Sequence, residues 1–238
     1  MRLDQTLVER GFCENRSRAQ QLISAQQVLL NERVVTKASY KCKESDTLSL
    51  IGSQYVSRAA FKLKHFLERH DIGVKGSRCL DVGSSTGGFV QVLLEYGASI
   101  VSAVDVGSEQ LHHTLKEDSR IDVHEQTDIR DFKEEPYEIV TCDASFISLL
   151  YLIPSIDCLS SDKIVLLFKP QFEVGKEAKR NRKGVVLDEQ LIQTTFEHFL
   201  DKCKALDWQL ILHEPSELKG KEGNQETLCY FRKRSKEI

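Results

Sequence analysis

From residue 78 onward, short apolar runs of strand length alternate with helix-like stretches, and this alternation most constrains what the chain can fold into. The runs cover residues 78–82, 100–105, 121–125, 138–142 and 163–168, each bounded by turn-forming or charged residues. Helical patterns occupy 87–95, 110–116 and 149–159. Another helix runs from about 57 to 69 ahead of the first strand, and a long one over 188–206 follows the last. Such alternation predicts an α/β fold with a parallel, doubly wound sheet. Two further runs, 209–213 and 228–232, predict an antiparallel hairpin closing one edge.

With 238 residues, the chain accommodates this domain and a small companion. Residues 1–52 read as that companion: two short helices, then Val28-Leu29-Leu30 and Arg33-Val34-Val35 around an Asn31-Glu32 turn, then Leu48-Ser49-Leu50. Residues 53–56 read as a linker and 57–238 as the α/β domain. Hydrophobic residues at 40% and charged residues at 29% describe an ordinary globular protein. The net charge of −3 gives no global signature of nucleic-acid binding, so any polyanion site must come from local clusters of Lys and Arg. The seven cysteines are scattered without a C-x-x-C or Cys/His pattern, so no metal site is expected. The opening MRLDQ is charged, and no stretch approaches the roughly 18 apolar residues of a membrane helix. The expectation is a cytoplasmic protein with no membrane partner.

The first strand ends in Asp81-Val82 and breaks into Gly83-Ser84-Ser85-Thr86-Gly87-Gly88-Phe89. Glycine lets backbone approach a ligand closely, and the following helix presents unpaired amides. The spacing departs from the G-x-G-x-x-G of dinucleotide sites. In S-adenosylmethionine sites an acid placed like Asp81 can hold the cofactor's amino group. Asp105, at the end of the next strand and followed by Val106, can accept ribose hydroxyls. Asp128, after the third strand, is placed to meet an adenine amino group. A purely structural turn or a nicotinamide site accommodates the same residues.

Four segments carry the remaining candidates: SRAAFKL with Lys62, CDASFISL with Asp143, LLFKPQFEVGK with Lys169 and GNQE with Glu226. Asp143 and Lys169 each follow an apolar strand, at the end where doubly wound folds bind ligands. Asp-Ala-Ser-Phe lacks the prolines common in enzymes that methylate base amines, and no Pro-Cys dipeptide offers a nucleophile for cytosine C5. Both absences favour an oxygen acceptor. A free lysine, with a pKa of about 10.4, is a poor base at neutral pH, and a second cation nearby disfavours its charged form. Lys62 is the candidate for that cation.

The order of these segments resembles the heat-shock, FtsJ-like ribosomal RNA 2′-O-methyltransferases, and their spelling resembles the TlyA family over nearly the whole chain. That family is known both as rRNA cytidine 2′-O-methyltransferases and as hemolysin A. Residues 1–52 resemble the αL RNA-binding fold of ribosomal small-subunit protein four, through Arg2-Leu3-Asp4, Leu7, Gly11, Ser17-Arg18-Ala19, Leu22-Ile23, Val28, Asn31, Val34 and Asp46. Ala25-Gln26 and Glu32 depart from it where glycine is usual. The resemblance implies a class I Rossmann-like methyltransferase using S-adenosyl-L-methionine, held by Asp81, Gly83, Ser84, Ser85, Gly87, Gly88, Phe89, Asp105, Val106, Asp128 and Asp143. It implies Lys169 as the base or orienter of the ribose hydroxyl, with Asp143 and Lys62 positioning it and Glu226 helping to bind the nucleotide.

The implied substrate is ribosomal RNA, with the large subunit favoured because the chain resembles the shorter type of the family. Phosphate contacts are expected from Arg2, Arg16 and Arg18 in the small unit and from Lys176, Lys179, Arg180, Arg182 and Lys183 beyond Lys169. Arg58, with Lys64 and Arg69, adds cations on the helix of Lys62. Three other readings compete: a non-catalytic RNA-binding protein, a membrane-active haemolysin and a nicotinamide oxidoreductase.

Overall fold

The computed structural model describes residues 1–51 and 55–234, so Gly52 and, of the expected linker, Ser53 and Gln54 lie outside the described residues. The chain divides into two compact units, Met1–Arg58 and Ala59–Ile238.

In the first unit, α1 (Leu3–Glu9) and α2 (Arg16–Ser24) precede a small antiparallel sheet of β1 (Val28–Leu30), β2 (Arg33–Val34) and β3 (Leu48–Leu50), ordered β2-β1-β3. The Asn15 side chain caps α2 by accepting from the Arg18 amide at 2.9 Å. Leu3, Leu7, Ala19, Leu22, Ile23, Val28 and Leu30 form the core. Asn31 and Glu32 both adopt positive φ, 51° and 64°, the backbone that a two-residue hairpin with right-handed strand twist requires. Glu32 therefore carries strain that glycine would avoid. Asn31 offsets it with its side chain, donating to Asp46 and accepting from the Thr47 amide, both at 2.9 Å.

The second unit begins with α3 (Ala59–Arg69) and continues through β4 (Arg78–Val82), α4 (Gly88–Glu95), β5 (Ile100–Val104), α5 (His113–Lys116), β6 (Ile121–His124) and β7 (Tyr137–Cys142). A 3-10 turn at Leu149–Tyr151 leads into α6 (Ile153–Leu159), then β8 (Ser160–Phe168), α7 (Pro170–Glu173), α8 (Glu189–Ala205), β9 (Trp208–Pro215) and β10 (Thr227–Lys233). The seven strands lie in the order β6-β5-β4-β7-β8-β10-β9. The first five in that order are parallel, and β10 runs antiparallel to both β8 and β9. Leu80, Val140, Ile164, Leu166 and Phe168 of the central strands pack with Phe196 and Phe199 of α8.

Two expected helices are shorter. The pattern over 110–116 yields only four helical residues, because the Glu125 carboxylate accepts from the amides of Glu109 and Leu111, both at 2.8 Å, and holds them in a loop. The pattern over 149–159 is split where Pro154, lacking an amide hydrogen, can stand only in the first turn of a helix.

Candidate functional site

Successive crossovers run to opposite sides of β4, towards β5 on one and β7 on the other, and this switch point is where doubly wound folds open a crevice. The turns leaving β5, β4 and β7 enclose a cavity of about 530 Å³ there, lined by Gly83, Ser85, Asp105, Val106, Asp128, Asp143, Ser145 and Phe146 among others. Small-molecule sites span roughly 300–1,000 Å³, so the volume suits a nucleoside-sized ligand. Gly83 has φ +76°, and a Cβ there would lie 2.8 Å from the Ala144 Cα; only glycine lets the turns after β4 and β7 meet. Asp105 ties the wall together, accepting from the Ser85 amide at 2.8 Å and the Gly107 amide at 2.7 Å. A carboxylate has about four acceptor positions, so Asp105 keeps capacity for ligand hydroxyls.

The other expected cofactor residues divide by depth. Asp128 reaches the cavity, but Arg130 grips its carboxylate, which the hydrogen bond holds below the usual range. Asp81, Ser84, Gly87, Gly88 and Phe89 are not among the lining residues. Asp81 is only 1% exposed and accepts from the Thr141 hydroxyl at 2.6 Å. Desolvation pushes its carboxyl up to about 7, against the Thr141 hydrogen bond and with help from Asp143 and Asp105. The Asp81 carboxylate thus joins the ends of β4 and β7, next to the turn that begins at Gly83.

Lys62, Asp143, Lys169 and Glu226 form two buried ion pairs. The Lys169 ammonium lies 2.6 Å from Asp143 Oδ1 and also donates to the Asp143 carbonyl at 3.0 Å and to Ser145 Oγ at 2.9 Å. The Lys62 ammonium donates to Glu226 Oε2 at 2.6 Å, and Glu226 Oε1 accepts from Gln171 at 3.0 Å. Thr227 pairs with Phe168, so the register carried one residue further sets Glu226 opposite Lys169. Each lysine thus faces its own carboxylate. The expected repulsion between Lys62 and Lys169 does not organise the site; charge pairing does.

The expected RNA contacts also sort into two groups. Lys176, Lys179, Arg182 and Lys183 are exposed, with no ion pair among the described residues. Arg180 instead turns inward and donates to the carbonyls of Gln171, Gly175, Lys176 and Ala178, bracing the loop around it. Arg58 falls in the first unit, outside α3, and donates to Gln26. Lys64 is buried near Glu68, and Arg69 binds Glu214 and Glu217. In the first unit, Arg2 and Arg16 converge on the fully buried Asp4, whose carboxyl these hydrogen bonds, Arg2 first, hold well below its usual range. Both arginines remain about half exposed, and Arg18 is exposed beside Gln21.

Sequence reasoning missed several participants. Phe146 is 90% exposed, has φ +67° and stands at the cavity with its ring 5.2 Å from that of Phe172. An aromatic in an otherwise polar post-strand loop was the available signal. Ser145, Gln171 and Glu173 carried none, because their partners lie on other elements. No cluster able to hold a metal ion, and no helix long and apolar enough to cross a membrane, occurs among the described residues.

The FtsJ-like methyltransferase family matches residues 55–233, and the S4 domain family matches residues 1–48. The 23S rRNA (cytidine-2′-O)-methyltransferase TlyA of Campylobacter jejuni is 45% identical over 238 aligned residues, covering 91% of this chain and 94% of its own length. The 16S/23S rRNA (cytidine-2′-O)-methyltransferase TlyA of Mycobacterium tuberculosis is 38% identical, covering 97% and 89%. A solved structure from Streptococcus thermophilus, described as a hemolysin, superposes with a TM-score of 0.74 at 32% identity, covering 99% of this chain and 89% of the other. With two family matches in tandem and full-length relatives of this similarity, the chain belongs to the TlyA family, an FtsJ-like methyltransferase domain preceded by an S4 domain.

Proposed function

We propose that this protein transfers a methyl group from S-adenosylmethionine to the 2′-hydroxyl of a cytidine ribose in ribosomal RNA. Large-subunit RNA is the favoured substrate, since the relative at 45% identity is named for 23S rRNA alone. The observation that carries the reading is the buried Asp143–Lys169 pair, whose acid lines the cavity while its lysine stands directly behind.

When bound, S-adenosylmethionine supplies the activated methyl group. Asp105, Gly83, Ser85 and Asp143 are the residues that would hold it, and the cavity between them fits its size. Asp128 reaches an adenine amino group only by sharing its carboxylate with Arg130. The residues of this chain then act by alignment. Displacement at a methyl carbon needs an oxygen held in line, and such positioning accounts for much of the acceleration in well-oriented reactions. The hydroxyl proton must leave as the new bond forms, and Asp143, the carboxylate on the cavity wall, is placed to take it, while the Lys169 charge behind Asp143 and Ser145 favours the developing alkoxide character of the acceptor.

RNA is recognised by unstacked bases placed on aromatic faces and by contacts to the 2′-hydroxyl and phosphates. Phe146 offers such a face at the cavity mouth. The exposed lysines of the 176–183 loop and the arginines of the S4 domain offer phosphate contacts. This substrate places the protein's work in the cytoplasm, with ribosomes. The two units are proposed as the functional domains, divided after Arg58.

The test is to map 2′-O-methylcytidine on both ribosomal RNAs after incubation with purified protein and S-adenosylmethionine. A single modified cytidine whose methylation is lost when that ribose is 2′-deoxy is expected. Methylation of a base atom would overturn the reading.

A further inference from the structure

We infer that Ser145 is a further residue of the acceptor site: its side chain bridges Lys169 and the ribose 2′-oxygen, donating its own hydrogen to that oxygen. The inference rests on the reading of the site as one that methylates a 2′-hydroxyl.

An ammonium has three hydrogens. Two of those on Lys169, which is only 5% exposed, go to the Asp143 carbonyl and Ser145 Oγ, and the ammonium also lies 2.6 Å from Asp143 Oδ1. Lys169 is not part of the cavity lining, so an incoming hydroxyl meets it through a residue that is. Asp143 is fixed: its carboxylate is held by the ion pair, and its amide donates to the Val82 carbonyl at 3.2 Å. Ser145 differs. It is exposed, lines the cavity and accepts from Lys169. A hydroxyl donates as well as accepts, and among the described residues the Ser145 hydroxyl hydrogen has no acceptor. Asp143 and Ser145 are the described residues that both line the cavity and touch Lys169, and of the two only Ser145 can donate from its side chain when Asp143 is ionised.

The loop that carries Ser145 is anchored on both sides. Before it, Ala144 is pressed against Gly83. After it, the Glu173 carboxylate accepts from the Ser148 hydroxyl at 2.6 Å and the Leu149 amide at 2.9 Å. Ser145 is thus presented to the cavity by fixed neighbours. A ribose 2′-oxygen has two lone pairs. If one accepts from Ser145 and the hydroxyl proton passes to the Asp143 carboxylate on the cavity wall, the other is left to bond the methyl carbon as the carbon–sulfur bond breaks, and its direction is set. Polarised by Lys169, the Ser145 hydroxyl is a stronger donor than an isolated serine.

The experiment compares full-length wild type, Ser145→Ala and Ser145→Thr. It measures kcat and KM for 2′-O-methylcytidine formation on ribosomal RNA, with S-adenosylmethionine affinity measured by calorimetry. Ser145→Ala is expected to lower kcat by about 10²-fold, the usual effect of losing one positioned donor. KM for RNA and cofactor affinity should stay within about twofold, because uniform binding is untouched. Ser145→Thr, which keeps the hydroxyl, is expected to recover most of kcat. Wild-type or faster turnover in Ser145→Ala would show that the ribose displaces Ser145 from Lys169, and would overturn the inference. Equal loss in both variants together with lost cofactor affinity would reduce Ser145 to a loop-forming residue. If wild type forms no 2′-O-methyl product, the functional reading itself fails; if wild type is active and Ser145→Ala matches it, this inference fails alone.

Discussion

Two lysine–carboxylate pairs of equal length, 2.6 Å, stand in the methyltransferase domain and differ in their exposure. Lys62–Glu226 is sealed, with side chains 9% and 3% exposed; it joins α3 to the start of β10 and, through Gln171, to α7. In Asp143–Lys169 the acid is 13% exposed and forms part of the cavity wall. Length and charge alone therefore do not separate a structural pair from a reactive one. The difference is whether one partner faces a space that a ligand can enter. A buried pair whose charges lose water on both sides adds little net stability, but losing one partner is expensive. The sealed pair should therefore register in stability and the open pair in turnover.

The largest effect is expected from Lys169→Ala, which should reduce methyl transfer about 10²–10⁴-fold. Cofactor affinity should barely change, since Lys169 does not line the cavity. Normal turnover in a single-turnover assay would erase the contrast between the pairs.

Next, Lys62→Ala or Glu226→Ala should destabilise the fold by about 3–5 kcal/mol in urea unfolding, because each leaves a buried charge without its partner. The double variant Lys62→Met with Glu226→Leu should regain at least half of that loss. If each single variant instead unfolded like wild type while losing turnover, the sealed pair would be catalytic too.

Asp81 gives a third case, a buried acid paired with a hydroxyl instead of a cation. Its carboxyl is raised to about 7 by desolvation. A raised acid makes the folded state hold the proton more tightly, so stability falls as pH rises from about 4 to about 7 and then levels. The full drop, at about 1.4 kcal/mol per unit, is on the order of 4 kcal/mol. Asp81→Asn should flatten that part of the stability–pH curve measured by thermal unfolding. An unchanged curve would mean that Asp81 is ionised in the fold.

The smallest effects concern the basic loop, where the same division between inward and outward charge recurs. Lys179→Ala or Lys183→Ala should each lower the slope of log affinity against log salt by roughly 0.7–0.9 for RNA binding. Arg180→Gln should leave that slope unchanged while speeding amide hydrogen exchange across residues 175–180. A lower slope for Arg180→Gln would place its charge on the RNA instead of the loop.

Much of this protein is legible locally. The strand positions follow from apolar runs, and the start of α4 follows from the glycine turn. The Asn31-Glu32 hairpin follows from its two flanking strands, even though Glu32 stands where glycine is easier. Lys62, Asp143, Lys169 and Glu226 each sit in a recognisable segment. These features depend on neighbours a few residues away, and short-range periodicity and turn chemistry encode them. Only the tertiary structure decided which lysine meets which acid, since Lys62 on α3 and Glu226 beside β10 are 164 residues apart in the chain. It also buried Asp81 at the end of β4, turned Arg180 onto four carbonyls, and shortened α5 by giving the Leu111 amide, and that of Glu109 just before the expected helix, to Glu125. A residue's type and spacing define what it can donate or accept. Which partner it finds depends on strands and loops far away in the chain, and on whether water can still reach it once they close.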